Sequence, residues 1–488
     1  MKKTLIPRSR IRGKRTRERG ITMLLVAVAM VTIIGMAALS IDVITLYLAR
    51  EEAQHSADSA ALGAAKVLSL SGITGDPTNS SGNWGTICDG TSGLATRVAT
   101  AIANQNLVGG IAPTTIAVTY SAGSASSNPG TSTCSTLNTS TFGINPVVTV
   151  KITRAALPNF FSRIWGSAAT SVSATASAEA FNPSNSASAG SSGDIVPVQP
   201  RCVKPWVVPN LDPMNPVGCT TGCTGFVDPA SGVIQHQGIS LNGTGATGVI
   251  GETFWLVPDC DHGNPNYCNP LGPTQANYPA SGFSPIPPNL LGLPGQVGTP
   301  VTAIPSCSGG DPYEDAIEGC DAPTNYQCGV PLANAVDLTK HNPGVNSITN
   351  AVQCLIHQTD ATNIASSSGQ DYLNTSGTFG DPSAYPFQIL AGSSNPIGGS
   401  FAGTPITTSN SIVSLPIYDQ IAVPSPAGNA ITNVTFIGFL QVFINAVDVN
   451  GNRLVTVLNV AGCGNGTNPT GTPVTGSSPV PVRLITAP

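Results

Sequence analysis

The chain opens with a polar segment and continues into a long apolar run. No charged residue occurs from Gly20 to Ile41, and residues 21–41 read ITMLLVAVAMVTIIGMAALSI. At a rise of 1.5 Å per residue, a helix of this length spans about 31 Å, close to the roughly 30 Å hydrocarbon core of a bilayer. The pattern therefore predicts a membrane-spanning helix.

A helical pattern continues beyond the apolar run. Residues 42–70 contain no proline and no glycine before Gly63, and good helix formers dominate, so we expect helix to about Leu70. Alanines recur at spacings of four, three and four residues: Ala53, Ala57, Ala60 and Ala64. Such a stripe of small residues packs either on the protein's own sheet or against a partner helix in an assembly.

Residues 71–181 mix helical and strand patterns, and we expect a small α+β domain there. Apolar positions near one face predict a helix over 93–107, and a second, short helix is predicted over 157–165. Alternating residues predict three strands, at 114–120, 146–154 and 169–181. The polar residues 182–194, rich in Ser, Asn and Gly, predict a flexible linker.

Residues 195–488 consist of short apolar runs between Pro, Gly and Asn turns, which is typical of a mostly-β domain. The clearest element is a long hairpin of residues 433–447 and 453–462, in which Asn450 and Gly451 are predicted to supply the positive φ angles of a tight turn. A strand at 411–420 and a helix at 347–357 are also predicted. The fold class expected for the whole chain is α+β.

Charge is scarce and unevenly placed. Charged residues make up 9% of the chain, against about 25% in typical soluble domains. Residues 1–19 hold nine basic residues and one acid, which leaves 11 basic and 24 acidic residues, a net charge of −13, for the rest. A basic arm could bind nucleic acid. Its position directly before the apolar run favours a cytoplasmic arm instead, because carrying each Lys or Arg across a bilayer costs about 2.5–3.5 kcal/mol.

We therefore expect a single-pass membrane protein, with its N-terminus in the cytoplasm and its C-terminal body exported. A cleavable signal peptide is the alternative interpretation, because it shares the basic start and the apolar run. The run is longer than the usual apolar region of about 7–15 residues, and the small-residue site near Ala38 and Ser40 is a mediocre one for cleavage. Retention as an anchor is favoured.

All twelve cysteines lie beyond the apolar run, as expected for a segment exposed to an oxidising compartment. Their even number suits pairing, and the simplest partition is one bridge in residues 71–181 and five in residues 195–488, with the connectivity left open. The second domain is therefore expected to be disulfide-rich. The candidates are Cys88 and Cys134, then Cys202, Cys219, Cys223, Cys260, Cys268, Cys307, Cys320, Cys328, Cys354 and Cys463.

The segment around the apolar run resembles a known family. A basic segment and Gly20 precede the run, Asp42 follows near its outer end, Arg50 lies in the next helical stretch, and the tract ADSAALGA occupies residues 57–64. This order is similar to the N-terminal module of TadE/TadG-like Flp (tight adherence) pilus assembly proteins. The resemblance implies pilus assembly partners and anchoring in the inner (cytoplasmic) membrane, with the body in the periplasm or outside the cell. The element pattern of the small α+β domain is broadly pilin-like, and it also resembles the region that follows the span in these proteins.

The resemblance also implies an assembly surface on this helix, formed by Asp42, Arg50, Ala53, Ala57, Asp58, Ala60 and Ala64. The alternative is a membrane-boundary Asp and a solvated helix face. One position departs from the pattern: residues 20–25 are similar to a prepilin processing site, but Leu25 stands where Glu is normal. This departure implies an anchored TadG-like accessory protein rather than a processed pilin subunit.

The sequence contains no convincing catalytic constellation. The segment Gly238–Asn242 lacks the second Gly of a nucleophile elbow, and neither an HExxH pair nor a GxxxxGK phosphate loop occurs. Two Asp- and Asn-rich segments, 259–264 and 448–452, are cation-site candidates, but ordinary turns explain them better. The pair Cys219 and Cys223 has a spacing that zinc tolerates, yet disulfides are the default in an exported chain. No cofactor or metal is expected.

The function that these features favour is a non-catalytic, membrane-anchored component of Flp pilus assembly or of surface adhesion. Its expected partners are the bilayer and other pilus assembly proteins, not nucleic acid. A first alternative is a cell-surface binding module that reads a saccharide or protein ligand with Trp206 and Trp255. A second is a secreted enzyme, which would need a pocket that gathers acids from the set Asp259, Asp261, Asp311, Glu314 and Asp315.

Overall fold

The computed structural model describes a little more than half of the chain. The described residues are 18–71, 74, 85–122, 130–137, 142, 145–158, 161, 169–182, 198–200, 203–204, 206, 208–214, 224–229, 232, 234–235, 249–256, 317–318, 331–333, 345–365, 368–374, 388–406, 408–418, 433–463, 474–476 and 478–485. The helices are α1 (Glu18–Leu70), α2 (Gly85–Cys88), α3 (Leu94–Gln105) and α4 (Val345–Ile356). The strands are β1 (Thr115–Ser121), β2 (Val147–Leu157), β3 (Thr170–Ala180), β4 (Val198–Pro200), β5 (Val208–Pro209), β6 (Thr253–Leu256), β7 (Pro331–Ala333), β8 (Tyr372–Leu373), β9 (Ile389–Leu390), β10 (Pro405–Ile406), β11 (Ile412–Tyr418), β12 (Asn433–Val447), β13 (Arg453–Gly462), β14 (Val474–Gly476) and β15 (Val482–Ile485).

Helix α1 is continuous over 53 residues, which confirms the predicted helix to Leu70. It is the one helix among the described residues that is long and apolar enough to cross a membrane, with a mean hydropathy of 2.6 in its most apolar window. Two hydroxyls of its apolar run are satisfied within the helix: Thr32 Oγ1 donates to the carbonyl of Ala29 at 2.8 Å, and Ser40 Oγ donates to that of Met36 at 2.9 Å. These bonds let the two polar side chains lie on an otherwise apolar helix surface.

The chain divides into two compact units. The first unit comprises Met1–Ser56, Ala103–Ile116 and Ile152–Ala174, and the second comprises Ala57–Ile102, Ala117–Lys151 and Thr175–Pro488.

In the first unit a tight turn follows α3. Val108 and Ile111 form an antiparallel bridge, and Gly109 and Gly110 between them have φ angles of 60° and 79°. A two-residue hairpin turn with positive φ at both central positions requires residues without a Cβ, which explains the Gly-Gly pair. Thr114 then joins this segment to the end of β2, since its amide donates to the carbonyl of Thr153 at 2.8 Å.

A four-stranded sheet has the strand order β1-β2-β3-β15. The predicted strands at 114–120, 146–154 and 169–181 correspond to β1, β2 and β3 with small shifts at their ends. Strand β15 comes from the last residues of the chain and pairs antiparallel with β3, from Val482 opposite Ala180 to Ile485 opposite Ser177. Residues 482–485 were predicted to belong to the C-terminal domain. In the structure they form an edge strand of the sheet of residues 71–181.

A six-stranded sheet forms the core of the second unit, with the order β5-β11-β12-β13-β6 and β7 paired to β12. The predicted long hairpin is confirmed as β12 and β13, and the predicted strand at 411–420 is β11. Nearly every described side chain of β12 and β13 is buried, so the strands are apolar on both faces, as in a sheet covered on both sides. Helix α4 confirms the predicted helix at 347–357.

The turn of this hairpin differs from the predicted one. The last strand pair is Val447 with Arg453, so five residues form the loop, and within it Gly451 has a positive φ of 74° whereas Asn450 does not. The reason is the carboxylate of Asp448, whose Oδ1 accepts from the amides of Asn450 and Asn452, each at 2.8 Å. These hydrogen bonds to the Asp448 side chain stabilise the five-residue loop in place of a tight two-residue turn.

The predicted short helix at 157–165 is wrong at its start. Leu157 is the last residue of β2, and Phe161 lies in a bend. The other predicted helical positions, apart from Pro158, lie outside the described residues, as does nearly all of the predicted linker at 182–194. Asn182 itself is buried, and its side-chain amide donates to the carbonyl of Val460 at 3.1 Å, so the chain is still part of the core where the linker was predicted to begin.

A disulfide joins Cys88 to Cys134, with 5.6 Å between their Cα atoms. This is the bridge predicted for the first domain. The bridge is flanked by pairing of Asp89 with Thr133, which holds the two segments together at the end of α2. Cys354 and Cys463 are also disulfide-bonded. The other eight cysteines lie outside the described residues, so the predicted disulfide-richness of residues 195–488 stays a prediction.

The Cys88–Cys134 pairing can be checked by peptide mapping. Trypsin cuts after Lys66, Arg97 and Lys151, so it leaves the two cysteines in the separate peptides 67–97 and 98–151. We expect these peptides to be joined in a non-reducing digest and separate after reduction. We also expect the double variant Cys88→Ser/Cys134→Ser to lose about 4 kcal/mol of unfolding free energy, because the bridge closes a loop of 46 residues. A crosslink from peptide 67–97 to any other cysteine peptide would contradict the assignment.

Candidate assembly module around helix α1

The first half of α1 exposes apolar side chains almost all round. From Ile21 to Met36 nearly every large residue is exposed by more than half, and Met23 reaches 78%. Monomeric soluble proteins rarely expose apolar patches beyond a few hundred Å². A helix with this surface is adapted to lipid or to apolar partners rather than to water.

A buried face begins on α1 at Ala38. It continues in the first unit through Asp42, Ala49, Ala53 and Ser56, all of which are buried. The spacings of four, seven, four and three residues keep these positions on one side of the helix. One side of α1 is therefore covered by the protein's own residues from the outer end of the apolar run onward.

The carboxylate of Asp42 accepts hydrogen bonds from the backbone. Its side chain is 4% exposed, and the amide of Phe161 donates to Oδ2 at 3.1 Å and to Oδ1 at 3.3 Å. A buried carboxylate is costly unless donors satisfy it, and charge-assisted bonds of this kind are among the stronger ones. Asp42 thereby ties a segment 119 residues away to the end of the apolar run.

A second carboxylate works in the same way three turns further along. Glu52 Oε2 accepts from the amide of Gly109 at 2.6 Å, and Ser56 Oγ donates to the carbonyl of Ala103 at 3.4 Å. Residue numbers rise along α1 while they fall in the partner segment, so the two run antiparallel. The Gly-Gly turn is thus held against α1 through a backbone amide.

A groove of ≈ 260 Å³ lies beside α1 in the first unit. Its lining is mostly apolar and consists of Thr45, Leu46, Leu48, Ala49, Glu52, Gly109, Leu157 and Pro158. The groove lies between the helix on one side and the Gly-Gly turn and the end of β2 on the other.

In the second unit the small residues of α1 are fully buried. Ala57, Ala60 and Ala64 have no exposed surface, and neither have Ala95 and Ala99 of α3. Gly63 marks a close approach, because a Cβ there would lie 2.2 Å from Cδ1 of Ile102. The small side chains on both helices allow the two helices to pack this closely. The alanine stripe is therefore buried by the chain itself, with helix α3 as a neighbour, whereas the first alternative named the protein's own sheet.

The burial pattern changes the predicted assembly surface. Of its seven residues, Asp42, Ala53, Ala57, Ala60 and Ala64 are buried within the chain. Arg50 is exposed and Asp58 is half-buried, so these two remain accessible to a partner. The sequence pattern missed Glu52, Gly109 and Phe161. A Gly-Gly pair after a helix is a recognisable turn signal, but no local signal pairs it with Glu52.

The residues proposed for ligand binding do not form a site in the described part of the chain. Trp206 is fully buried beneath the guanidinium of Arg453, which lies 4.6 Å from its ring centre, so it cannot stack on a surface ligand. Trp255 is half-buried in β6, opposite Leu454. The acids proposed for an enzyme pocket, Asp259, Asp261, Asp311, Glu314 and Asp315, all lie outside the described residues.

The described residues also include no cluster of three or more His, Cys, Asp or Glu side chains suited to a metal ion. At the cation candidate 448–452, Asp448 already accepts from two backbone amides and from Nδ2 of Asn452. The segment therefore serves as the hairpin turn. The other cation candidate, 259–264, and the Cys219 and Cys223 pair lie outside the described residues.

A buried carboxyl pair in the second unit has unusual electrostatics. Glu252 and Asp212 have no exposed surface, and Met214 donates its amide to Asp212 Oδ1 at 2.9 Å. Burial, together with the charge of Asp212, raises the pKa of Glu252 to about 10. Shifted acids occur at catalytic sites, but around this pair the described residues include no nucleophile or base in a catalytic arrangement. The pair is a source of pH-dependent stability.

Substitutions at two adjacent positions test whether the alanine stripe is packed inside the chain. We expect Ala60→Leu to destabilise the chain by about 1–3 kcal/mol, because a buried position with no free space must accept three more carbon atoms. Ser59→Leu adds the same side chain at an exposed position and should leave the unfolding midpoint unchanged. Thermal unfolding of the detergent-solubilised full chain measures both. An unchanged midpoint for Ala60→Leu would show that the stripe is not packed inside the chain.

The raised pKa of Glu252 predicts that the free energy of unfolding falls as the pH rises. The folded chain holds a proton that the unfolded chain releases above about pH 4.5, so the contribution of Glu252 to the unfolding free energy falls from about pH 4.5 to 10. We expect Glu252→Gln to remove this slope and to be more stable than the parent by at least about 1 kcal/mol at pH 8. Denaturant unfolding at pH 5 and pH 8 measures the difference. A variant with the parent's pH dependence would argue against a protonated Glu252.

Comparison with known proteins identifies one segment. Residues 20–67 match the Tad family, described as "Putative Flp pilus-assembly TadE/G-like". No curated protein and no solved structure matches the chain. The pilin-like layout of residues 71–181 therefore stays a prediction. The matched segment contains the exposed apolar part of α1, Asp42, Glu52 and the whole alanine stripe. The predicted resemblance is confirmed for the N-terminal module: residues 20–67 match the model of the TadE/G-like Flp pilus-assembly family.

Proposed function

We propose that the protein is a membrane-anchored, non-catalytic component of Flp pilus assembly. The observation that carries this proposal is the coincidence of two features on one segment. Residues 20–67 match the pilus-assembly family, and the same residues form the exposed apolar helix α1. The helix holds the protein in the inner membrane, and the folded body works in the periplasm.

Orientation follows from charge. Nine basic residues precede the span, while the residues after it carry a net charge of −13. Basic residues stay on the cytoplasmic side because their transfer across the bilayer is unfavourable. The cysteines then lie on the oxidising side, which agrees with the Cys88–Cys134 disulfide.

Continuity of α1 supports an anchor over a cleaved signal peptide. The weak cleavage site near Ala38 and Ser40 lies inside the helix, and Ala38 is already buried. Asp42, one turn later, binds the amide of Phe161. Cleavage here would need the helix to open and would separate the span from the face on which the body packs.

The chemistry of the module supports a structural role. The carboxylates of Asp42 and Glu52 both accept backbone amides, which places them in holding the fold rather than in acid or base chemistry. The accessible face of α1 beyond the membrane carries Arg50, Gln54 and Asp58 at successive intervals of four residues. This polar face, with a cation and an anion two turns apart, is the surface that we assign to pilus assembly partners.

Site-specific crosslinking in cells that carry the pilus system tests this function. A photoreactive amino acid at Gln54, which is exposed, should yield adducts with other pilus assembly proteins. The same probe at Ala57, which has no exposed surface, should react within the chain. Thr362 is an exposed control in the second unit and should yield none of these adducts. Absence of pilus proteins from the Gln54 adducts, or equal adducts at Thr362, would overturn the assigned surface.

A further inference from the structure

The exposed apolar surface of α1 extends beyond the predicted span. On the face opposite Asp42, the side chains of Val43, Ile44, Tyr47 and Leu48 are each exposed by more than half. Their spacing of one, three and one residues places them on one side of the helix. This apolar face continues about 10 Å past Ile41.

No exposed charge interrupts this surface before Arg50. Asp42 is the one charged residue between Gly20 and Ala49, and its buried carboxylate accepts the amide of Phe161. Thirty residues at 1.5 Å make about 45 Å, which matches a bilayer of about 40–45 Å measured with its headgroup regions. The span of about 31 Å predicted from residues 21–41 accounts for the hydrocarbon core alone.

A second apolar group lies on the Gly-Gly turn. Leu107 is 51% exposed and Ile111 is 58% exposed, on either side of Gly109 and Gly110. Residues 106–116 contain no charged side chain. Isolated exposed apolar residues are common on proteins, but two of them on one short turn without charge form a local apolar tip.

The turn and the apolar face of α1 are neighbours. The amide of Gly109 is bonded to Glu52, little more than one helical turn beyond Leu48. Gly109 and Leu48 also line the same groove, together with Leu46 and Leu157. Leu48 of the first group and Gly109 of the turn therefore line one groove, which opens beside the outer end of the predicted span.

We propose that this surface rests in the outer headgroup boundary of the bilayer that α1 crosses. We name it the apolar collar, and its residues are Val43, Ile44, Tyr47, Leu48, Leu107 and Ile111. Interfacial elements bury their apolar face about 5–10 Å into this boundary, the same depth as the extension of α1 past Ile41. Tyr47 suits the position, because Tyr has an apolar ring and a polar hydroxyl and is enriched at membrane interfaces.

The occupant of the collar is phospholipid. The collar is continuous with the lipid-facing surface of α1, whereas the polar face that starts at Arg50 is suited to protein partners. The groove between Leu48 and Leu157 receives part of an acyl chain. The collar rests on the proposed membrane anchoring, and it adds that the body is held at the membrane surface by a second contact besides the helix.

Photocrosslinking to lipid tests the collar. The full chain, with p-benzoylphenylalanine at a single position, is placed in vesicles of phosphatidylethanolamine and phosphatidylglycerol with tritiated acyl chains. We expect labelled lipid adducts at Leu25 in the span and at Tyr47 and Ile111 in the collar. Ile397 is an apolar control of similar exposure, 53%, in the second unit and should give no adduct. An intact Cys88–Cys134 bridge in each variant shows that the body has folded.

The labelled positions distinguish the proposal of the collar from the proposal of membrane anchoring. Lipid adducts at Leu25 but none at Ile111 would overturn the collar and leave the anchor in place. Adducts of Ile111 with a second copy of the chain, in place of lipid, would also overturn it. Absence of lipid adducts at Leu25 would overturn the anchoring on which the collar rests. Adducts of equal yield at Ile111 and Ile397 would show non-specific contact and would contradict the proposal.

Discussion

The structure depends on how the surroundings of one helix change along its length. From Ile21 to Met36 the side chains of α1 have no protein around them, and from Ala38 onward one face is covered. The change takes place within about one turn, at a point where a carboxylate would be costly in either environment. Asp42 is tolerated there because a backbone amide satisfies it. The contacts of Asp42 with the Phe161 amide lie where one face of α1 becomes covered, and the later contacts of Glu52 and Ser56 follow along the same face.

Beyond Ser56, helix α1 is stabilised by close approach rather than by large side chains. Alanines on α1 face a region where α3 also presents Ala95 and Ala99, and Gly63 leaves room for Ile102. Such packing brings backbones together and gains dispersion contacts along the contact between the helices. The stripe of small residues is therefore buried by the chain itself.

Elements with a local periodic signal could be predicted from the sequence. The span, the extent of α1, helices α3 and α4, and the hairpin of β12 and β13 each follow from the spacing of apolar residues.

Contacts between distant residues could not be predicted. The bond between Asp42 and Phe161 crosses 119 positions, and the pairing of β15 with β3 joins residues 482–485 to residues 177–180. The hairpin turn was mispredicted because the side chain of Asp448 outcompetes the tight turn favoured by Asn-Gly. Whether the alanine stripe faced inward or outward depended on α3, whose matching alanines have meaning only once the two helices are aligned.

Strand β15 has a consequence for the order of folding. Its four residues pair with β3, and Arg483 binds Glu179 across 304 positions of the sequence and covers the ring of Phe181. Closing a loop of this length has a large entropic cost, so local elements such as the β12–β13 hairpin form more readily than this pair. The edge of β3 is therefore expected to be among the last parts of the sheet to be paired.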